Sequence, residues 1–246
     1  MPKSLVQIHG QLRRWAVDRI TGRYRLFASH CTHPEKRFEL RIALRQRIMR
    51  TESFDAKMHN ISSAIGKIDN LVVRPGKIFS YWYLLGEATK ENGYLPSRSL
   101  RNGELVQDYG GGLCQLAGII YYLSLLADLK ILERHSHSRD IYNEDERFAP
   151  LGSDASVAYG IKDLRVQNSF SFPIQFCFNI DGEYLVGHIC ADNLILERKI
   201  EFVRHDDVKS TRTVDTFAVS NGSVRQHISS SIYKIGATNQ QFKRTR

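Results

Sequence analysis

No stretch of the 246 residues approaches the roughly 18 consecutive apolar residues that a membrane-crossing helix requires. Internal repeats and low-complexity linkers are also absent, which argues against solenoid and disordered architectures. Cysteine is scarce. Cys31, Cys114, Cys177 and Cys190 are widely spaced with no C-x-x-C pair, a pattern of free thiols rather than a disulfide framework. The N-terminus has no uninterrupted apolar core, because Arg13, Arg14, Asp18 and Arg19 break it; no signal peptide is expected, and the cytoplasm is the expected address. With 42% hydrophobic and 25% charged residues and six prolines, the composition is that of a globular protein able to bury a sizeable core in one domain.

What is present begins with charge. Twelve of the 35 basic residues and three of the 26 acidic ones fall within residues 1–50, so the whole excess of +9 lies there and the remainder balances. Within this segment Leu5, Ile8, Leu12, Trp15 and Ala16 recur at helical spacing, with Gln7, Gln11, Arg13, Arg14 and Arg19 on other faces. Such a helix either packs on the core with a solvated arginine face or lies on an anionic membrane surface. Residues 36–50 repeat the theme with Phe38, Leu40, Ile42, Leu44 and Ile48 among arginines. No motif or interleaved aromatic stripe supports nucleic acid as a partner.

The densest signal is Gly110-Gly111-Gly112-Leu113-Cys114-Gln115, followed by an apolar helical segment from Leu116 to about Leu129. A cysteine at a helix N-terminus meets unpaired N–H groups and the positive end of the dipole, which favour a thiolate. The glycines permit positive φ and leave no side chains over the sulfur. Arg134-His135-Ser136-His137 and Asp154 follow, so cysteine, histidine and acid occur in an order suited to nucleophilic chemistry. Cys114 would attack a carbonyl, the N–H groups of Leu113 to Leu116 would hold the oxyanion, and Gln115 would donate a further bond or cap the helix. Asp154 would orient an imidazole, and Arg134 would pair with a substrate carboxylate. Each has a plainer reading: a small buried thiol, strand histidines, a turn aspartate, a surface arginine. His135, His137 and Cys114 also permit zinc, but alternate strand residues face apart; no metal and no cofactor are expected.

Asn60–Val73 is loosely helix-like, Arg74–Lys77 a type II turn, and Ile78–Trp82 a strand or short buried segment. Asn102-Gly103 is a candidate hairpin apex, and Leu129–Arg134 a strand. Beyond Asp154 the period changes to two, with strands expected at Ala155–Tyr159, Leu164–Asn168, Ile174–Ile180 and Tyr184–Ala191 as an antiparallel meander. Residues 197–236 add two more around Asn221-Gly222. The expected fold is α+β, with the glycine-rich loop and cysteine-bearing helix packed on a C-terminal antiparallel sheet.

Four ordered segments resemble the VanW family, named after an accessory protein of B-type vancomycin-resistance clusters. They are Arg74–Trp82, Asn102–Leu105 with Gly110–Gln115, Glu133–His137 and Gly152–Gly160. The resemblance covers about residues 55–195 and implies a domain at 55–236, preceded by a basic, helical extension (1–54) and followed by a polar tail (237–246). It makes the second histidine, His137, the general base, with His135 its neighbour. Some exported members look like L,D-transpeptidases, which implies a cysteine acyl-enzyme formed on a peptidoglycan stem peptide or its lipid-linked precursor. Gly110, Gly111, Gly112, Gln115, Arg134 and His135 would then bind substrate, and residues 1–50 would touch the anionic inner membrane face. The rival expectation is a non-catalytic module or accessory protein that binds cell-wall precursors.

Overall fold

The computed structural model describes residues 5–29, 38–101, 104–140, 147–205, 208, 210–219 and 224–235. Helix α1 (Leu5–Ile20) and a 3-10 turn (Arg23–Leu26) precede strand β1 (Leu40–Arg47) and helix α2 (Phe54–Ile68). Strands β2 (Leu71–Val73) and β3 (Ile78–Ser80), the short helix α3 (Tyr81–Leu85) and the hairpin of β4 (Pro96–Arg101) and β5 (Glu104–Tyr109) lead to helix α4 (Leu113–Leu126). Strands β6 (Lys130–Glu133), β7 (Arg139–Asp140), β8 (Arg165–Gln167), β9 (Ile174–Asp181), β10 (Tyr184–Ala191), β11 (Lys199–Arg204), β12 (Thr211–Val219) and β13 (Arg225–Ile235) follow.

Helix α4 is apolar around its whole circumference, and a helix with no polar face must be enclosed. It packs on β10 and β1 on one side, on β6 and β11 on others, and against α2. The antiparallel sheet β1-β10-β9-β2 receives both α2 and α4, while β3-β8-β6 forms a smaller antiparallel sheet. The C-terminal sheet runs β11-β12-β13-β7, with only the short β13–β7 pairing parallel. Phe202 of β11 meets Tyr122 of α4 edge to face at 5.4 Å, which joins this sheet to the core. The α+β class expected from the sequence holds, with α4 packed on the antiparallel sheet that contains β9 and β10.

Several local expectations do not hold. Residues 40–47 form a strand instead of a second amphipathic helix: Ile42, Gln46 and Ile48 turn inward and Arg41, Arg45 and Arg47 outward, a period of two. Arg45 and Arg47 reach Asp181 and Glu183 across the sheet, so part of the basic excess is paired there. Ala155–Tyr159 is a loop, and Arg165–Gln167 belongs to a different sheet from β9 and β10, so the meander reduces to one hairpin. Residues 199–235 supply three strands where two were expected. Cys31, Asn102-Gly103, Asn221-Gly222 and residues 237–246 lie outside the described residues; β4 and β5 nonetheless pair up to Arg101 and Glu104. Cys177 and Cys190, on β9 and β10, are free thiols with sulfurs 3.8 Å apart.

The largest departure concerns α1. Its polar side faces the domain: Arg14 makes two bonds to Glu133 at 2.8 and 2.6 Å, and Asp18 accepts a two-pronged pair from Arg165 at 2.7 Å each. Gly10 sits against the Gly160 carbonyl so closely that any added Cβ would lie 2.4 Å from the oxygen. Leu5, Leu12 and Trp15 are 85%, 63% and 60% exposed. A core-packed helix with a solvated arginine face is therefore not what forms. Substitution should separate the two helices: Leu123→Ala in α4, fully enclosed, should cost about 3 kcal/mol in chemical denaturation, whereas Leu12→Ala should change stability by no more than about 0.5 kcal/mol.

Candidate active site

The Gly-Gly-Gly turn is built by close packing. Gly110 and Gly112 have φ of +82° and +98°, conformations that favour glycine. A Cβ on Gly110 would lie 2.7 Å from Ala88, and one on Gly112 would lie 2.8 Å from Lys57 and 3.0 Å from Ile61. The Gly111 carbonyl accepts from Asn60 Nδ2 at 3.3 Å. These glycines let the turn pass under α2; they are packed against protein, and the expected substrate-binding role finds no open face at Gly110 or Gly111, both buried. Tyr81 Oη donates to the Leu113 carbonyl at 2.9 Å and pins the first turn of α4.

Cys114 is the second residue of α4 and is half-buried. Its sulfur lies 3.8 Å from the Val157 carbonyl. The imidazole of His137 neighbours the same thiol closely enough for each group to shift the other's titration. His137 Nδ1 is 2.6 Å from Asp154 Oδ2, which leaves Nε2 as the ring nitrogen not held by the carboxylate. The His137 backbone N–H also donates to Asp154 Oδ2 at 2.8 Å, which fixes the residue relative to the carboxylate. The other oxygen, Oδ1, accepts from Tyr233 Oη at 2.5 Å and from Arg134 Nη2 at 3.0 Å.

The electrostatics follow from this chain of contacts. Burial by itself would push the Cys114 thiol up, but the hydrogen bond and charge of His137 outweigh it and bring the thiol below its ordinary value. Burial would push His137 down, yet Asp154 and Cys114 together raise it to about 10. Burial opposes ionisation of Asp154 as well, and His137, Arg134 and Tyr233 hold it well below the usual carboxylate range. A thiolate–imidazolium pair backed by a carboxylate is the state these neighbours favour.

Cys114, His137 and Asp154 thus come together, and other expected site residues do not join them. Arg134 is 7% exposed at its side chain and uses four of its five N–H donors within the protein: Nε and Nη2 hold the Asp154 and Gly152 carbonyls, Nη2 also reaches Asp154 Oδ1, and Nη1 bonds Ser231 at 2.6 Å. It braces the turn that carries Asp154. Gln115 is buried, with Nε2 bonded to the Arg47 carbonyl at 2.9 Å, so it ties α4 to β1. Of the amides expected to form the oxyanion site, those of Leu113, Gln115 and Leu116 already donate to Gly110 and Gly112. Only the Cys114 N–H has no backbone acceptor among the described residues. His135 faces Glu133 at 3.0 Å, away from His137, so the two histidines do not converge on one ligand.

Residues 134–136 also line an open groove of about 660 Å³ between β6 and β13. Lys162, Arg198, His227, Ser229 and Ser230 face it, whereas Cys114, His137 and Asp154 are not among the residues that line it. Tyr233 and Ser231 were not legible in the sequence: nothing in a β-strand some 80 residues beyond Asp154 marks its phenol as a partner of that carboxylate.

The family model described as VanW like protein matches residues 56–190. The chain belongs to the VanW-like family. It is 30% identical over 136 residues to the vancomycin B-type resistance protein VanW of Enterococcus faecalis (strain ATCC 700802 / V583), covering 55% of this chain and 50% of that protein. It is 36% identical over 119 residues to the uncharacterized protein YoaR of Bacillus subtilis (strain 168), covering 48% and 38% respectively. The chain therefore spans half or less of the length of these curated relatives. No solved structure matches it. The VanW-like match includes Cys114, His137 and Asp154 and ends before the C-terminal sheet, so Ser231 and Tyr233 brace the site from outside it.

The depressed thiol predicts a signed pH dependence. The rate of Cys114 alkylation by iodoacetamide, followed by peptide mass mapping, should rise at lower pH than that of an ordinary thiol near 8.5. His137→Ala should move that rise back up and slow the reaction at pH 7 by about tenfold. Cys177, whose thiol is raised first by its bond to Cys190 and then by burial, should lag throughout.

Proposed function

We propose that this VanW-like protein catalyses thiol-dependent acyl transfer on peptidoglycan stem peptides or their lipid-linked precursors, in a process tied to glycopeptide resistance. The observation that supports it is the half-buried Cys114 at the start of α4, neighboured by a His137 ring that Asp154 holds at 2.6 Å. The link to cell-wall chemistry comes through the E. faecalis relative named for vancomycin resistance.

In this reading the Cys114 thiolate attacks a peptide carbonyl carbon, forming a C–S bond. The tetrahedral intermediate collapses with loss of the C–N bond, and the His137 imidazolium gives its proton to the departing amine. An acceptor amine then attacks the thioester and passes its proton to the now neutral His137, which restores the thiolate–imidazolium pair. Asp154 keeps Nδ1 protonated and stabilises the ring's charge at each stage. The Cys114 N–H is the amide left to meet the oxyanion.

A purely anion-binding helix end draws less support, because three of its four amides are already engaged. The same geometry implies a bell-shaped pH profile: activity gains as Cys114 ionises below its ordinary value and is lost as His137 gives up its proton near 10. Incubation with a stem tetrapeptide and intact-mass measurement should give an adduct on Cys114 with release of the terminal amino acid, and none with Cys114→Ser. No adduct with tetrapeptide or lipid-linked precursor, together with a Cys114 inert to iodoacetamide, overturns the proposal.

A further inference from the structure

Helix α1 is inverted relative to an ordinary surface helix, and its attachment explains why. Its inward face consists of Gln7, Gly10, Gln11, Arg14 and Asp18. These residues are held by the Arg14–Glu133 and Asp18–Arg165 pairs and by the Gly10–Gly160 contact. Arg165 is anchored in turn by Asp163 at 2.9 Å, and Asp163 accepts from Ser80 at 2.7 Å. Breaking such buried pairs is costly, so the helix cannot roll to hide its apolar side. Leu5, Ile8, Leu12 and Trp15 consequently form a contiguous exposed stripe, and Leu26 beyond the helix is 40% exposed. A soluble surface does not leave such a stripe without a use.

The charge around the stripe selects its occupant. Residues 5–29 contain Arg13, Arg14, Arg19, Arg23 and Arg25 and a single acid, Asp18, which is buried under Arg165. Arg14 is consumed inward, which leaves four arginines around the stripe and no acid among these residues at the surface. Arg19 stacks on Trp15 at 4.9 Å and on Tyr24 at 5.0 Å, a cation beside two interfacial aromatics. We infer that α1 and the 3-10 turn dock in the plane of an anionic lipid bilayer, with Leu5, Ile8, Leu12 and Trp15 in the acyl boundary and Arg13, Arg19, Arg23 and Arg25 on the headgroups.

The docking surface is mechanically close to the thiol. Helix α1 rests on Gly160 and Ile161, and the same loop supplies the Val157 carbonyl beside Cys114. If the acyl-transfer reading holds, on which this last step rests, docking brings Cys114 toward a donor that is itself anchored in lipid.

The test is co-sedimentation of the full chain with vesicles of phosphatidylglycerol and phosphatidylcholine, or of phosphatidylcholine alone. Binding should require the anionic lipid, weaken with salt, and fall by about tenfold or more in Trp15→Glu and Leu12→Glu. Arg13→Gln and Arg19→Gln should each weaken it roughly fivefold. Circular dichroism and thermal unfolding of every variant report that the fold is intact, and Cys114→Ser should bind as the parent does, so failure of docking and failure of the enzyme reading are separable. No binding to anionic vesicles by the folded parent, or binding that both glutamate variants retain, overturns the inference. A parent that ignores vesicles but forms a dimer abolished by Leu12→Glu also overturns it, assigning the stripe to a second copy.

Discussion

Enclosure of α4 is the constraint from which the rest follows. A fourteen-residue helix with apolar side chains in every direction can be stable in water only if protein covers all of it. The sheet β1-β10-β9-β2, helix α2, strand β6 and strand β11 each cover a sector. The end at which the chain enters is the place where cover is incomplete, and there Cys114 stays half-exposed. The glycine turn is the other half of the same constraint: only residues without Cβ atoms let the entering chain pass beneath Lys57 and Ile61 and beside Ala88. The half-exposed thiol and the hydrophobic core are thus two consequences of one packing problem.

The triad owes its electrostatics to a carboxylate with every lone pair in use. Asp154 accepts from the His137 ring and backbone, from Tyr233 and from Arg134. A carboxylate so satisfied stays ionised even when largely buried, and an ionised neighbour is what lets an enclosed imidazole keep its proton. Arg134 belongs to the same frame, with four of its five N–H donors on the Asp154 and Gly152 carbonyls, Asp154 Oδ1 and Ser231.

How far the sequence was legible depended on whether the relevant signal was local. The cysteine helix, the strands of residues 130–133, 174–181 and 184–191 and the α+β class were readable because periodicity acts over a few residues. The segment at 40–47 was misread because apolar residues at every second position among arginines also suit a basic helix; pairing with β10 decides the matter, and that partner lies some 140 residues away. The glycines and Cys114 were legible as a motif, but their reasons were not, since Ala88, Lys57 and Ile61 are tertiary neighbours. The outward apolar face of α1 was illegible for a related cause. Hydrophobic periodicity locates a stripe, and only the ion pairs from Arg14 and Asp18 determine which way it points.

The brace formed by β13 carries a consequence for the order in which the protein matures. Ser231 and Tyr233 arrive last among the groups that hold Asp154 and Arg134, well after Cys114, His137 and Asp154 have been synthesised. A nascent chain therefore contains Cys114, His137 and Asp154 long before the carboxylate has its full set of donors. Until the C-terminal sheet is complete, Asp154 lacks the Tyr233 hydroxyl and Arg134 lacks its bond to Ser231.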